Sequence, residues 1–520
     1  MEIKKIIDKK EFHDKIRPSI KNENKTIALC HGVFDLVHPG HLIHLEQAKQ
    51  MADILVVSIT AAKYVRKGPG RPYFNDEQRL NFLAALECVD YVMLSDGYTV
   101  DDIIEAVEPD FYVKGSEYAQ EDKDLTGMIT AERLLVEEHG GCIRYTGGEV
   151  FSSTKLINTA MAGLSADIVD YMREFRVIYS MEDISCYAEK IKKLKILVLG
   201  DVIVDRYTYC DIQGLISKDM AYSARLKNTE DYLGGSAAIA RHLSSFNKNV
   251  TLMSIVGNEA EIREQIKDEL SDAINLKLFS SKKIPTIVKQ RFLTKNKKRE
   301  EYKKVFAINN IKFNENYEQE ILDIFISELT NEIEKYDVVF LCDFGHGLIG
   351  NDIMRIVQEK AKWLVLNCQT NSTNKGKNLI TKYNRADAFS LDQAELSLAY
   401  PQIVVDEKKS LQKLSQKLGG IGWLTRGSEG AYGVTKKDQK QDRNQIIREC
   451  PAFTLNVRDT IGAGDAFYAV AGVFSVVGAP ADLCMVMGNI AGALGANIVG
   501  NKEAVEKVNV LKYASTLMNV

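Results

Sequence analysis

No CxxC pair occurs in this sequence, and its nine cysteines are scattered and odd in number. That usage argues against a disulfide framework and points to a reduced, cytoplasmic protein. Neither sign of charge dominates: a net charge of -4 gives no global pull toward nucleic acid or an anionic membrane, so neither is expected as a partner. Long apolar runs are missing too. The most apolar late segment, AFYAVAGVFSVVGAP (Ala466 to Pro480), is shorter than the roughly 20 residues of a membrane span and ends in Gly and Pro, which suits a buried helix. The N-terminal MEIKKIIDKKEFHDKIRPSI has no uninterrupted apolar core and no small-residue cleavage site, so export is not expected.

What is present is enough chain for more than one core. At 520 residues the length favours two or more domains, and 45% hydrophobic with 27% charged residues is ordinary for a soluble globular protein. TIALCHGVFD is an apolar run that breaks into a glycine-containing turn, and HLIHLEQAKQMA then has helical spacing. ADILVVSIT, CVDYVMLS and DFYVKGS predict further buried strands separated by helices, the alternation of a parallel α/β sheet. The pattern restarts at LKILVLGDVIVD (Leu194 to Asp205) and continues with strands at NVTLMSIVG, DVVFLCDFG, KWLVLNC and IGWLTRG. We therefore expect an α/β domain over 1–158, a helical connector over 159–193 and a second α/β domain over 194–520.

The first constellation is HGVFDLVHPGH, which places three of the eight histidines within His31 to His41. His38 and His41 stand at a predicted helix start, where unpaired amides and the positive end of the helix dipole favour phosphate. Imidazoles there can donate to phosphate oxygens as charge accumulates in a transition state, and Gly40 allows close backbone approach. A zinc site is the rival reading, but no cysteine or carboxylate cluster with ligand spacing accompanies the pair. A merely packed turn is the other. RKGPGRPYFNDEQR (Arg66 to Arg79), VKGSEY (Val113 to Tyr118) and FSSTKLI (Phe151 to Ile157) add basic and hydroxyl groups after strands or before helices; SST also suits a helix N-cap.

With these motifs, residues 27–158 resemble the HxGH nucleotidyltransferases, most closely the adenylyltransferase half of bifunctional ADP-heptose synthases. The resemblance implies a Rossmann-like domain in which a sugar phosphate attacks the α-phosphate of a nucleoside triphosphate and pyrophosphate leaves. It implies His38 and His41 as catalytic residues, with Phe34, Lys67, Arg79, Lys114, Gly115, Ser153 and Thr154 around the nucleotide and its phosphates. Glycerol-phosphate and choline-phosphate cytidylyltransferases share the turn, so both ATP and CTP stay open.

The second constellation is DTIGAGDAF (Asp459 to Phe467), two glycines and an aspartate entering an apolar helix. Its amides can face an anion, and Asp465 can accept a proton from an attacking hydroxyl. From Leu194 onward the chain resembles the ribokinase family of carbohydrate kinases, which implies a ribokinase-like domain with a small β lid, ATP and Mg2+. It also implies Asp465 as base, with Gly462, Ala463 and Gly464 as anion hole. Asp201, Asp205, Gly234 and Gly235 fall at sugar-binding positions, and DFGHG (Asp343 to Gly347), Glu395, Thr425 and Gly427 match further family positions, the last two near the nucleotide. The chain departs from the family pattern at Ala238, at Asn367, Cys368 and Gln369, and at Asp392.

KQRFLTKNKKREEYKK (Lys289 to Lys304) crowds basic residues around a predicted hairpin; Lys289 and Arg291 share one face and are expected to meet a substrate phosphate, with Lys295 to Arg299 at the tip. Strands inserted there in the family imply a homodimer through the kinase domain. Together the resemblances lead us to expect a bifunctional sugar kinase and nucleotidyltransferase in reversed domain order, acting on small-molecule sugar phosphates and nucleoside triphosphates. The alternative is a cytidylyltransferase fused to a degenerate kinase that only binds ligand or dimerises. No metal is expected to be held by a dedicated ligand cluster.

Overall fold

The computed structural model describes residues 5–65, 71–115, 128–146, 165–216, 221–295, 302–312, 316–370, 374–401, 406–435, 446–453 and 457–519. It divides into two compact units, Met1–Ser165 with Leu511–Val520, and Ala166–Val510.

In the first unit the strands β1 (Ile27–Gly32), β2 (Ile54–Thr60), β3 (Tyr91–Ser95), β4 (Phe111–Gly115) and β5 (Cys142–Thr146) form one parallel sheet in the order β3-β2-β1-β4-β5. Both faces are covered, which is why these strands read as continuous apolar runs. Leu29, Val56, Met93 and Tyr112 pack on one face with Ile103 and Ile104. Ala28, Cys30, Leu55, Val57 and Val92 pack on the other with Leu45 and Leu83. The strand order reverses at β1, and ligands of open α/β sheets bind outside the carboxyl ends of the strands at such a point. The HxGH turn leaves β1 at that end.

The second unit begins with helices Ala166–Ile178 and Met181–Ile191, the stretch the sequence presents as a connector. They are docked rather than free: Tyr179 donates to Asp482 at 2.8 Å, and the Asn247 amide donates to the Ile191 carbonyl at 2.5 Å. The main sheet comprises β6 (Ile196–Gly200), β9 (Val250–Gly257), β10 (Asn275–Ser281), β13 (Val338–Asp343), β14 (Leu364–Cys368), β15 (Ala388–Asp392), β16 (Ile421–Thr425), β17 (Ala431–Val434) and β18 (Ile447–Cys450). Its order is β10-β9-β6-β13-β14-β15-β16-β17-β18, parallel up to β16 and antiparallel in the last two pairings. The apolar segment at 466–480 is the buried part of helix Ala463–Val476, packed beside Ala481–Gly495. Among the described residues no helix is long and apolar enough to cross a membrane.

A separate four-stranded sheet, β12-β11-β7-β8, is built from β7 (Val202–Leu215), β8 (Tyr222–Gly235), β11 (Ile287–Lys295) and β12 (Tyr302–Asn310). The hairpin expected at Lys289 to Lys304 is the β11–β12 pair, while residues 296–299 of its tip lie outside the described residues. The long β7–β8 hairpin was not expected, because much of β8 is exposed and polar and lacks a buried strand's apolar run.

Candidate functional sites

In the first unit, His38 is the N-cap of helix Pro39–Met51; its Nδ1 accepts the Gly40 amide at 3.1 Å. Burial lowers its pKa, so the ring is neutral, and an accepting Nδ1 places the proton on Nε2. That buried Nε2 has no hydrogen-bond partner. The His41 ring stacks on His38 at 4.0 Å between centroids, and Phe34, held at φ 44, lies 5.3 Å from His41. The third histidine is different. His31 is bracketed by Ser58 at 2.8 Å and Thr60 at 3.2 Å, with burial pushing its pKa down to about 3. It packs the end of β1.

Arg79 has no free edge. It is 1% exposed and donates to the carbonyls of Val33 at 2.7 Å, Thr60 at 2.9 Å and Phe74 at 3.2 Å, with Asp76 at 2.5 Å. It clamps the HxGH turn, β2 and its own helix into one body. Asp35 accepts the Phe74 amide at 3.0 Å and faces Arg71 at 2.7 Å, a pair the sequence reading passed over although Arg71 lies within the RKGPGRPYFNDEQR segment. Lys114, on β4, pairs with the buried Glu132 at 2.9 Å, and Gly115 ends the strand. Lys67, Ser153 and Thr154 lie outside the described residues.

In the second unit, three strand ends and one helix start bring acidic groups together. Asp201 follows β6 and is 1% exposed, with the backbone amide of His346 facing its carboxylate. Burial, then the charge of Asp343, pushes its pKa up to about 7. Asp465, in the first turn of helix Ala463–Val476, is likewise lifted to about 7 by burial and then by Asp205. Its Oδ1 accepts Gln369 Nε2 at 3.1 Å. Lys289 sits among Asp205, Asp465 and Asp201, its pKa lowered by burial against their attraction. Arg291 binds Asp205 at 2.5 Å. Lys304, opposite Leu293 on β12, faces Asp459, Arg291 and Asp205, and is a further cation that sequence reasoning did not single out.

The glycines leave room for these groups. A Cβ on Gly234 would lie 2.3 Å from Asp205 Oδ2, and one on Gly235, at φ 60, would lie 2.6 Å from the Asp201 carbonyl. At the helix start Gly462 has φ 82, and nothing lies within 4 Å of a Cβ on Gly464, so the cradle is open there. Asp459 holds the preceding loop, accepting Ile461 N at 3.1 Å, Gly500 N at 3.2 Å and the Tyr207 hydroxyl at 2.9 Å. Glu395 accepts the amides of Thr370 and Asp392, and burial, then Asp392, pushes its pKa up to about 8. Asp392 caps the helix Gln393–Ala399 that carries Glu395. Thr425 ends β16, and Gly427 follows at φ 56. Of the departures, Ala238 is fully buried, Asn367 donates to the Ser390 carbonyl at 3.0 Å, and Gln369 reaches Asp465. Asp343 is enclosed by Tyr383 at 2.7 Å, Lys382 at 2.5 Å and Asn378 at 3.2 Å.

The raised carboxyl of Asp201 has a consequence for stability. Between its ordinary value of 3.8 and about 7 the folded chain binds the proton more tightly than the unfolded chain, so this group costs stability as pH rises through that window. Asp201→Asn is expected to raise the melting midpoint at pH 8 by several degrees and to lose most of that gain at pH 4, measured by calorimetry at both pH values. An equal gain at both would assign it to packing.

Residues 29–159 match the cytidylyltransferase-like family, and residues 193–506 match the pfkB family of carbohydrate kinases. The bifunctional protein HldE of Syntrophotalea carbinolica is 36% identical over 123 residues, covering 23% of this chain and 24% of that protein. HldE of Koribacter versatilis is 37% identical over 156 residues, covering 29% and 30%. The match thus spans less than a third of the length of these curated relatives. Among solved structures, Arabidopsis thaliana ribokinase complexed with ribose and ATP superposes with TM-score 0.45 at 18% identity, over 61% of this chain and 98% of that one. Phosphofructokinase-2 from Escherichia coli in complex with substrates and products gives 0.48 at 16%, over 62% and 99%.

Proposed function

This chain belongs to the pfkB family of carbohydrate kinases, and from that premise we propose that it is a two-headed enzyme that makes a nucleotide-activated sugar. The kinase, assigned to residues 194–520, phosphorylates a sugar that already carries a distal phosphate, of the heptose 7-phosphate type, at its anomeric hydroxyl. The nucleotidyltransferase, assigned to residues 1–158, joins the sugar 1-phosphate to a nucleoside triphosphate and releases pyrophosphate. The observation that carries the reading is the presence in one chain of two anion-directed sites: the unpartnered Nε2–H of His38, and Asp465 at an open glycine cradle.

In the kinase, Asp465 takes the proton of the attacking hydroxyl while the amides of Gly462, Ala463 and Gly464 receive charge on the transferring phosphoryl group. Asp201 and Asp205 bind sugar hydroxyls, and Lys289, Arg291 and Lys304 supply positive charge for the distal phosphate. Glu395 would stand on the side of any magnesium carried on ATP, which would supply neutralisation of triphosphate charge, and Thr425 and Gly427 lie beside the nucleotide. In the nucleotidyltransferase the phosphate monoester is already a nucleophile, so positioning and donation from His38 and His41 suffice. Arg79 acts there by holding the turn in shape, and Lys114 and Gly115 lie at the nucleotide end of β4. We take ATP as the triphosphate of the first unit, with CTP as the alternative.

A degenerate kinase is the second reading, favoured by Ala238, Asn367 and Gln369 at departing positions. One screen decides between them: sugars and sugar phosphates incubated with ATP or CTP and the full chain, with products read by mass spectrometry. A nucleotide sugar formed from an unactivated sugar phosphate supports the two-headed enzyme. Binding without phosphoryl transfer supports the degenerate module.

We place the enzyme in the cytoplasm as a homodimer through the lid sheet. The sheet exposes Leu226 at 63%, Tyr222 at 66% and Ile308 at 51%, more apolar surface than a free lid would carry. Leu226→Glu with Ile308→Glu is expected to convert a dimer to monomer in sedimentation at micromolar concentration without lowering the melting midpoint at high dilution. An unchanged sedimentation coefficient would assign the interface elsewhere.

A further inference from the structure

We propose that Arg71 is an oxyanion-binding residue of the first unit, its guanidinium fixed by Asp35 beside the HxGH turn so that its free edge receives a phosphate. The identity of that phosphate rests on the nucleotidyltransferase reading; the existence of the site does not.

The Arg71 side chain is 6% exposed and that of Asp35 is 2% exposed, with Nε and Oδ2 2.7 Å apart. The other carboxylate oxygen of Asp35 accepts the Phe74 amide, so the carboxylate is held from both sides. This attachment uses only the Nε side of Arg71. All three guanidinium nitrogens are buried, and beyond the ion pair that Nε makes with Asp35 none has a hydrogen-bond partner. Arg79, more deeply buried, shows what a purely structural arginine does in this unit: Nε, Nη1 and Nη2 all bond to protein oxygens.

A guanidinium does not lose its proton, and its two Nη groups form a planar fork that matches two oxygens of a phosphate. A buried fork without partners destabilises the fold unless something else occupies it. The placement supplies the occupant. Asp35 adjoins Phe34, whose ring packs on His41, and precedes by three residues His38, whose Nε2–H is likewise buried and unpartnered. Two separate elements thus bring unsatisfied donors to one turn, at the sheet's switch point, where phosphate chemistry is proposed.

The test is isothermal titration of inorganic pyrophosphate and of inorganic orthophosphate into the full chain, comparing wild type, Arg71→Gln and Arg71→Lys. Arg71→Gln is expected to weaken anion binding roughly tenfold to a hundredfold, and Arg71→Lys, which keeps the charge but not the fork, to restore only part of it. Loss for pyrophosphate alone assigns the leaving end of the triphosphate, and loss for orthophosphate alone assigns the sugar phosphate. Unchanged affinities for both anions would overturn the proposal. If neither variant folds, wild-type crystals soaked in pyrophosphate decide: an anion oxygen within about 3.2 Å of an Nη atom of Arg71 supports it, and the absence of one overturns it. Because the probes are inorganic anions, failure of every sugar phosphate to turn over would sink the proposed reaction and leave this measurement standing.

Discussion

Asp465→Asn is expected to reduce phosphoryl transfer by about a thousandfold or more while ATP still binds. The amide keeps the shape of the carboxylate and its oxygen can still accept Gln369 Nε2, now 3.1 Å from Oδ1, but it cannot take a proton from the attacking hydroxyl. The pH profile separates this role from simple damage. With its pKa pushed up to about 7 by burial and then by Asp205, Asp465 is protonated and inactive in acid. Wild-type kcat/KM should therefore climb as pH rises toward 7 and level off above it, and the residual rate of the variant should lose that limb. A kinase assay paired with nucleotide binding checks both. Residual activity within tenfold of wild type would remove Asp465 from the base role.

His38→Ala or His41→Ala should cost the nucleotidyl transfer half on the order of a hundredfold or more in pyrophosphate release, with kinase turnover intact. The argument is sharper for His38, because its proton position follows from the structure: Nδ1 is occupied by the Gly40 amide, which leaves Nε2–H as the donor. A neutral donor does not need acid. Pyrophosphate release should hold its rate as pH rises toward 6.5, whereas a catalyst relying on imidazolium, its pKa lowered by burial, would lose activity over that range. Near-normal turnover in both variants would return the turn to a packing role. A rate that falls over that range in wild type would assign the charged ring instead.

Much of this was legible in the residues. The parallel strands of both sheets announce themselves because they are buried on both faces, so that IALC, ILVV and VVFLC carry no polar interruption. Turn-to-helix motifs are local, and the HxGH and GAGD segments each fold within a few residues of themselves. The unread parts depend on distant partners. Strand β8 runs through Arg225, Lys227, Asn228, Thr229 and Glu230, a polar series whose pairing with β7 has no trace in its own composition. Arg79 looks like a phosphate ligand in sequence, and only its bonds to Val33, Thr60 and Phe74 assign it to the scaffold. Gln369 reads only as a departure from the family pattern until it is found against Asp465, 96 positions away.

The Tyr207 hydroxyl belongs to β7 of the separate four-stranded sheet, yet the carboxylate it meets also collects the amides that shape the loop before helix Ala463–Val476. Sheet and loop are therefore geared: β7 cannot swing without breaking this contact or pulling Asp459 along. Asp205 stands two residues from Tyr207 on the same strand, so whatever displaces its carboxylate acts on the strand that grips Asp459.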